Sequence, residues 1–269
     1  MKKYILTIIM IIILGLSWQY KNRQPDLIEL DLPVAKKHQE FVEPAIEDDT
    51  PSLSPPKLGG DVREDRGGIV ESEVEVEQVE SISVNLAVPF TSQAPTADWE
   101  QPYQDACEEA SLLMVDYYYA NQDFPTKEEV ENILLEMVAW QEINWGGHFN
   151  LPTASVAEYA MTTFGYRVEV IEDLTADKIR VFLNRGIPVI IPADGHKLDN
   201  PFFSGNGPEY HMLVVKGYQD DKFITNDPGT RRGADFIYTE KNLMASIFDW
   251  DTKKDQTIGP KRGLVLYND

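Results

Sequence analysis

The chain has 269 residues, enough for one or two domains, and its hydrophobic fraction of 42% is sufficient for a packed core. Its 45 acidic and 24 basic residues give a formal net charge of −21, which argues against nucleic-acid binding and against docking on anionic lipid headgroups. A single cysteine excludes an intrachain disulfide framework and a zinc site built from several thiolates.

The first 23 residues have the pattern of an export signal. "MKK" precedes the uncharged stretch "YILTIIMIIILGLSW", the basic and apolar regions typical of a secretory signal or signal-anchor. As a helix this stretch spans about 22 Å, less than the roughly 30 Å of a hydrocarbon core. We expect the protein at the extracytoplasmic face of the cell membrane, held through this segment only, or secreted if the signal is cleaved.

Residues 24–83 are predicted to form an acidic, disordered tether. Between residues 24 and 85 there are 16 acidic and 5 basic residues, and proline and glycine recur. Such a composition buries too little apolar area to offset the entropy lost on ordering. The alternation in "IVESEVEVEQVESISVNL" leaves open one edge strand near the end of this region.

Residues 84–269 are predicted to form one folded domain with helices first and mostly strands afterwards. Predicted helices, in chain order, are "CEEASLLMVDYYYANQ", "TKEEVENILLEMVAW", "TASVAEYAMTTFG", "TADKIRVFLNRG" and "EKNLMASIFDW". Predicted strands are "YRVEVI", "IPVIIPA", the two halves of "YHMLVVKGYQDDKFITNDPG", "ADFIYT" and "GLVLY". This order predicts an α+β domain with an antiparallel sheet.

The only cysteine, Cys107, is predicted in the first turn of the first helix of this domain, with Asp105 as the N-cap. The positive end of the helix dipole lowers a thiol pKa, whereas the neighbouring Glu108 and Glu109 oppose that shift. A spare thiol outside the cytoplasm is an oxidation liability, which favours a functional cysteine. The alternative is an inert, buried residue.

His211 and Asp227 are predicted to meet across a hairpin. If the loop "QDDK" is the turn, the centre of the hairpin lies near Gln219, and the two residues stand eight positions to either side. A carboxylate bonded to one imidazole nitrogen fixes the tautomer of the ring. Asn226 alternates to the opposite face of the strand. The alternative is that Asp227 only caps the turn "NDPG".

Attack by the thiol on a carbonyl carbon requires a donor for the oxyanion that develops. Three glutamines precede the cysteine, Gln93, Gln101 and Gln104, and spacing does not choose among them.

A metal site is a weaker interpretation. His148, His196 and His211 with Asp194 or Asp199 supply the side-chain types that bind zinc. No HExxH or comparable spacing is present, so we expect neither a metal nor another cofactor.

Four motifs together resemble the papain-like cysteine peptidases, in particular the C39-like relatives of the bacteriocin-leader-processing peptidases. They are "VPFTSQAP", "DACEEASLLMV", "YHMLVVKGY" and "ITNDPGT". The resemblance implies a papain-like fold, with a helical N-terminal half packed on an antiparallel sheet. It also implies a Cys107–His211–Asp227 triad with Gln93 as the oxyanion donor.

Two features depart from that family pattern. The fourteen-residue step from Gln93 to Cys107 is longer than usual, which requires the intervening residues to loop out and keeps Gln101 and Gln104 as alternatives. Glu108 stands where transporter-linked leader peptidases usually have glycine, and nothing resembles their transmembrane or nucleotide-binding parts.

The resemblance implies a monomeric cysteine peptidase acting on a peptide or a peptidoglycan-derived substrate. Alternatives are a cell-wall amidase or acyltransferase with the same triad, and a non-catalytic module that binds peptides or cell-wall fragments. Residues 86–269 contain 29 acidic and 15 basic residues, which favours cationic or neutral ligands. The glycine- and aromatic-rich segment "GHKLDNPFFSGNGPEY" is a candidate wall of the cleft.

Overall fold

A computed structural model of the chain describes residues 27–41 and 83–268. The predicted signal, most of the predicted tether and the possible strand within "IVESEVEVEQVESI" lie outside the described residues. Across the two described ranges, no helix combines the length and the hydropathy needed to cross a membrane.

The domain begins with a short strand, continues with three helices and then alternates strands and helices. The helices are α1 (Cys107–Ala120), α2 (Lys127–Trp145), α3 (Thr153–Tyr159), α4 (Ala176–Asn184), α5 (Gly195–Leu198) and α6 (Glu240–Ser246). The strands are β1 (Ser83–Asn85), β2 (Arg167–Glu172), β3 (Val189–Ala193), β4 (His211–Gln219), β5 (Lys222–Asn226), β6 (Phe236–Thr239), β7 (Trp250–Asp251), β8 (Gln256–Thr257) and β9 (Arg262–Tyr267). The predicted order of elements is confirmed.

Seven strands form one antiparallel sheet. Six of them follow the order β2-β9-β3-β4-β5-β6, and the seventh, β1, pairs with the C-terminal end of β4. The remaining two, β7 and β8, form a separate ribbon. Strand β4 is central, and all of its residues except the last are buried. The predicted α+β class with helices packed on an antiparallel sheet is therefore confirmed.

Helix α1 is the central helix, and its first nine residues, 107–115, are all buried. A helix that is buried on every side needs packing partners all round, and α1 lies against β4 in the core. Its N-cap is Ala106, so the predicted cap at Asp105 is wrong. Asp105 ends a 3-10 turn, Tyr103–Asp105, and its carboxylate accepts from Gln101 Nε2 at 2.6 Å instead of capping the helix.

The other helix boundaries follow local sequence signals. Thr126 and Glu129 form the predicted capping box at the start of α2. Helix α3 runs into a π-helical turn, Ala160–Phe164, and ends at Gly165, whose φ of +76° lies in the left-handed region that favours glycine.

Residues 27–41 differ from the predicted disorder, because they lie along the folded domain. The Lys36 N–H donates to the Asn85 carbonyl at 2.8 Å, beside β1. The His38 ring packs edge-on against Tyr119 at 4.8 Å between centroids. Backbone pairing and aromatic contacts thus order this short stretch, although the average composition of the region predicts disorder.

Candidate active site

A cavity of about 220 Å³ lies where the start of α1 meets the start of β4. Cys107 and His211, far apart in the sequence, both line it, and Gln93 and Gln104 line it as well. The fold therefore gathers the thiol, the imidazole and two glutamines around one small space.

The predicted cleft segment supplies part of the wall. Phe203, Ser204, Gly207 and Pro208 line the cavity, and all four belong to "GHKLDNPFFSGNGPEY". The Phe203 ring packs edge-on against the imidazole of His211, with 5.3 Å between centroids, and so limits how far that ring can rotate.

Cys107 is the first residue of α1 and is only 3% exposed. Its Sγ donates to Glu108 Oε2 at 3.0 Å. Burial, the charge of Glu108 and this hydrogen bond, together with the charge of Glu109, raise the pKa of the thiol well above its usual value. The backbone N–H of Met212 acts in the opposite direction but does not cancel the shift. The thiol is therefore protonated in the resting site.

Glu108 is a buried carboxyl that joins the thiol to a neighbouring loop. Its Oε1 accepts from the Leu151 N–H at 2.8 Å, while Oε2 faces Cys107. Burial and the nearby Glu109 raise the pKa of Glu108 to about 8. A proton is thus retained next to the sulfur at neutral pH.

Glu109 extends this acidic side of the cavity into the protein interior. Its Oε1 accepts from Gln141 Nε2 and lies 3.4 Å from His148 Nε2, while Oε2 has no hydrogen-bond partner among the described residues. Burial lowers the pKa of His148, but Glu109, 3.4 Å away, and the other carboxylates around the ring outweigh burial and raise that pKa. Both glutamates are buried.

His211 and Asp227 form a buried pair on the other side of the cavity. Nε2 of the ring lies 2.7 Å from Asp227 Oδ1, and the two side chains are 1% and 0% exposed. Because Nε2 is engaged by the carboxylate, Nδ1 is the ring nitrogen left for the cavity. Burial works to raise the pKa of Asp227, but His211 outweighs it, with help from Tyr238 and the Gly229 N–H, and the pKa is lowered.

Two further side chains hold Asp227, and sequence reasoning did not identify either. Tyr238 donates its hydroxyl to Oδ2 at 2.6 Å, and Asn200 donates Nδ2 to the same oxygen at 3.0 Å. The Gly229 N–H donates to Oδ1 at 3.0 Å, as expected of an aspartate at a turn. No local sequence signal marks Asn200 or Tyr238, because only the tertiary fold brings them to the carboxylate.

The hairpin that joins His211 to Asp227 differs in register from the prediction. Gln219 pairs with Lys222, which places the centre of the turn between Asp220 and Asp221 rather than near Gln219. An irregularity between Val215 and Gly217 then shifts the pairing by one residue. If the pairing continues in that register, His211 and Asp227 are diagonal neighbours across the two strands and not directly opposite each other. Side chains at diagonal positions can still make contact.

Asn226 faces away from the imidazole, as predicted. Its Nδ2 donates to the carbonyls of Val88 and Pro89 at 3.0 and 3.2 Å, and its Oδ1 accepts from the Asp235 N–H at 3.2 Å. Asn226 therefore anchors the chain ahead of Gln93 instead of orienting His211.

The three glutamines have different environments. Gln93 is buried, and its Nε2 donates to the carbonyls of Tyr103 and Gln104 at 2.9 Å each, while its Oε1 has no hydrogen-bond partner among the described residues. Gln104 is exposed at the cavity. Gln101 donates to Asp105 and does not line the cavity. The residues between Gln93 and Cys107 do loop out, which returns Gln93 to the base of the turn before the cysteine.

The histidines considered for a metal site have separate partners. His148 lies beside Glu109, His196 Nδ1 lies 3.6 Å from Asp194, and His211 contacts Asp227. Within residues 27–41 and 83–268, no three His, Cys, Asp or Glu side chains are placed to hold a metal ion together.

Comparison with known protein families decides the affiliation of the chain. The model of the Peptidase C39-like family matches residues 85–258, about two thirds of the chain. The protein belongs to this family. The match spans β1 to β8 and includes every residue placed at the cavity, which agrees with the resemblance seen in the four sequence motifs.

Solved structures related to this Peptidase C39-like protein are distant in sequence. A protein from Bacillus anthracis described as a C39-like peptidase is 16% identical, with 70% of this chain and 98% of that chain covered and a TM-score of 0.44. The peptidase domain of Streptococcus ComA, a bifunctional ABC transporter involved in quorum sensing, is 13% identical, with 62% and 93% covered and a TM-score of 0.33. Among curated proteins, none matches the chain. The family and the fold support a cysteine peptidase-like function.

Proposed function

We propose that the chain is an exported cysteine peptidase that hydrolyses peptide bonds with Cys107, His211 and Asp227. The observation that carries this proposal is the single cavity lined by Cys107 and His211, with His211 Nε2 held by Asp227 at 2.7 Å. A thiol, a base and a group that orients the base are the minimum set for acyl transfer through a covalent intermediate.

The first half of the reaction begins from the protonated thiol. His211 takes the proton of Cys107 on Nδ1 as Sγ attacks the carbonyl carbon of the substrate, so the S–C bond forms as the S–H bond breaks. Asp227 stabilises the imidazolium that results. Collapse of the tetrahedral intermediate breaks the C–N bond, and His211 returns the proton to the leaving amine.

The second half releases the acyl group. His211 removes a proton from a water molecule, which attacks the thioester carbonyl, and the S–C bond breaks as the carboxylic acid product forms. The proton held by His211 returns to the sulfur. The cycle therefore needs no cofactor.

The oxyanion is proposed to be stabilised by the Cys107 N–H, at the start of α1, and by the amide nitrogen of Gln93. The buried position of Gln93 beside the cavity favours it, although both of its amide hydrogens reach backbone carbonyls in the resting site. One of those hydrogens must therefore be shared with the substrate oxygen. Gln104 is the alternative donor, because its exposed side chain lines the same cavity.

The peptidase proposal is tested by looking for new termini. Purified protein is incubated separately with a mixture of unrelated peptides and with purified cell-wall material, and products are identified by mass spectrometry. We expect new peptide termini that are absent with the Cys107→Ala variant. Products from the cell-wall material alone would assign the chain as an amidase instead, and no product from either would contradict the enzymatic proposal.

One observation favours a second function, a non-catalytic binding module. The Cys107 thiol is buried and donates to Glu108, and burial raises its pKa, which suits a packing residue. In that case the cavity binds peptides that are never cleaved. Binding of the same peptides with equal affinity by wild type and Cys107→Ala, without any cleavage by wild type, favours this second function.

The export part of the proposal rests on residues 1–23, which are outside the described range. We expect the domain to be digested by protease added to intact cells, while a cytoplasmic marker protein stays whole. Protection of the domain until the cells are lysed would contradict export.

A further inference from the structure

A second cavity, of about 550 Å³, continues from the catalytic one. The two share Trp99, Ser204 and Gly229 in their linings, so they are adjoining parts of one groove. An extended peptide with its scissile bond at Cys107 therefore has a path into this second cavity, which we call the arginine groove.

The lining of the arginine groove has the opposite charge to the rest of the domain. It contains Arg231, Arg232 and the hydroxyl of Thr230, and no aspartate or glutamate. Residues 86–269 as a whole carry 29 acidic and 15 basic residues, so the pair of arginines stands out against an acidic surface. Within residues 27–41 and 83–268, neither Arg231 nor Arg232 forms an ion pair, whereas Arg180 and Arg262 do.

The loop that carries the arginines is fixed to the catalytic aspartate. The Asp227 N–H donates to the Gly233 carbonyl at 2.9 Å, which closes the loop. A Cβ on Gly233 would lie 1.7 Å from the Asp227 carbonyl oxygen, so only glycine permits this closure. Inside the loop the Arg232 N–H donates to Thr230 Oγ1 at 3.2 Å. The backbone of the loop that carries the arginines is therefore held in a fixed position relative to Asp227.

The guanidinium of Arg232 is also positioned. Its central carbon lies 4.8 Å from the centroid of the Phe202 ring, a cation–π contact that leaves the edges of the guanidinium plane free. Those edges carry the donors that bind a carboxylate in a bidentate manner.

We propose that the arginine groove is a substrate subsite that binds a carboxylate of the peptide, either an acidic side chain or a free C-terminus. This deepens the peptidase proposal and rests on it for the position of the scissile bond. It also reverses the expectation from overall charge that the ligands are cationic or neutral, because the field at the site depends on the nearest charges.

The test measures binding, which is separate from cleavage. Full-length Cys107→Ala protein is incubated with an equimolar library of randomised heptapeptides, one half with amidated and one half with free C-termini. Bound peptides are recovered by ultrafiltration and sequenced by mass spectrometry. We expect peptides with Asp or Glu to be enriched about fivefold over their Asn or Gln equivalents, as for a partly exposed, charge-assisted contact. Enrichment of free C-termini over amidated ones instead identifies the terminal carboxylate as the ligand.

Two variants with equal charge changes locate the effect. Adding Arg231→Gln and Arg232→Gln to Cys107→Ala should abolish the enrichment, whereas adding Arg185→Gln and Lys253→Gln, at exposed residues outside the groove, should preserve it. Equal recovery of acidic and amide peptides with no preference at the C-terminus, a preference for lysine, or enrichment that survives loss of both groove arginines would each overturn the proposal. Carboxylate enrichment in a protein that cleaves nothing would leave the subsite intact and contradict only the peptidase.

Discussion

The two sides of the cavity are built in opposite ways. On one side Asp227 is fully buried, yet His211, Tyr238, Asn200 and the Gly229 N–H satisfy its oxygens. On the other side Cys107 lies among carboxyl groups, and Glu108 shares its Oε2 with the thiol. Hydrogen-bond donors surround the carboxylate on the first side, whereas buried carboxyl groups lie next to each other and to the thiol on the second.

This difference separates the group that stays ionised from the group that keeps its proton. Hydrogen bonds and the imidazole lower the pKa of Asp227 despite burial, whereas burial and neighbouring carboxylates raise the pKa values of Cys107 and Glu108. In the proposed mechanism, the site therefore starts from a thiol, and His211 removes its proton during attack instead of holding a stored thiolate.

The largest expected effect comes from breaking the His211–Asp227 side. Asp227→Asn keeps the shape of the side chain but removes the charge that steadies the imidazolium, and it also favours the wrong tautomer of His211. We expect kcat/KM for a cleaved peptide to fall about 10³- to 10⁴-fold. The exposed Asp123→Asn, between α1 and α2, is the control and should leave kcat/KM unchanged. A loss of less than tenfold in Asp227→Asn would show that Asp227 does not orient the base.

The variant Glu108→Gln tests whether the carboxyl group beside Cys107 keeps its proton in the folded chain. Burial and Glu109 raise the pKa of Glu108 from 4.5 to about 8, so between these values the folded chain holds a proton that the unfolded chain has lost. The free energy of unfolding of wild type therefore falls as pH rises through this window. Glutamine does not titrate and keeps an acceptor for Leu151. In urea unfolding, we expect the free energy of unfolding of Glu108→Gln, relative to that of wild type, to rise between pH 5 and pH 9.

The exposed Glu136→Gln on α2, at a residue that does not line the cavity, is the control for this prediction. Parallel stability curves for Glu108→Gln and wild type over the same pH range would mean that Glu108 is ionised in the folded chain at neutral pH.

A comparison of Gln93→Ala with Gln104→Ala identifies which side-chain amide stabilises the oxyanion. Loss of one such donor lowers kcat about 10²- to 10³-fold, or about 3–4 kcal/mol, with little change in KM. We expect this loss in Gln93→Ala and less than a threefold change in Gln104→Ala. If Gln104→Ala shows the larger loss in kcat, the exposed glutamine is the donor and Gln93 only supports the turn before Cys107.

The smallest expected effect is that of Tyr238→Phe, which removes one donor from Asp227. A hydrogen bond to a charged group contributes roughly 2 kcal/mol. Because the pKa of Asp227 is lowered on folding, its contribution to stability is present above the unfolded value and is lost as pH falls through the folded one. Tyr238→Phe should therefore be less stable than wild type at neutral pH and approach it in acid. A constant difference at all pH values would assign Tyr238 a packing role.

Sequence patterns predicted the features that depend on neighbours along the chain. The capping box at Thr126, the helix end at Gly165 and the existence of the β4–β5 hairpin, although not its register, follow from local rules for caps and turns. The position of Cys107 at a helix start follows from the same rules, although Asp105 does not cap that helix.

Features that depend on remote contacts were not predictable from one sequence. Asn200 and Tyr238 reach Asp227 only because α5, β5 and β6 fold together. Nothing in the local sequence indicates that Glu108 and Glu109 are buried, because their burial depends on the packing of α1 inside the domain. Residues 27–41 are ordered by contacts near β1 and α1 that their composition does not indicate.

The most direct test of the shared cavity is the rate at which iodoacetamide modifies Cys107 in the native protein at pH 7. If His211 assists removal of the thiol proton, wild type is modified without unfolding, and the rate falls at least about tenfold in His211→Ala. Equal rates in the two proteins, or modification of wild type only after denaturation, would contradict the pairing of Cys107 with His211.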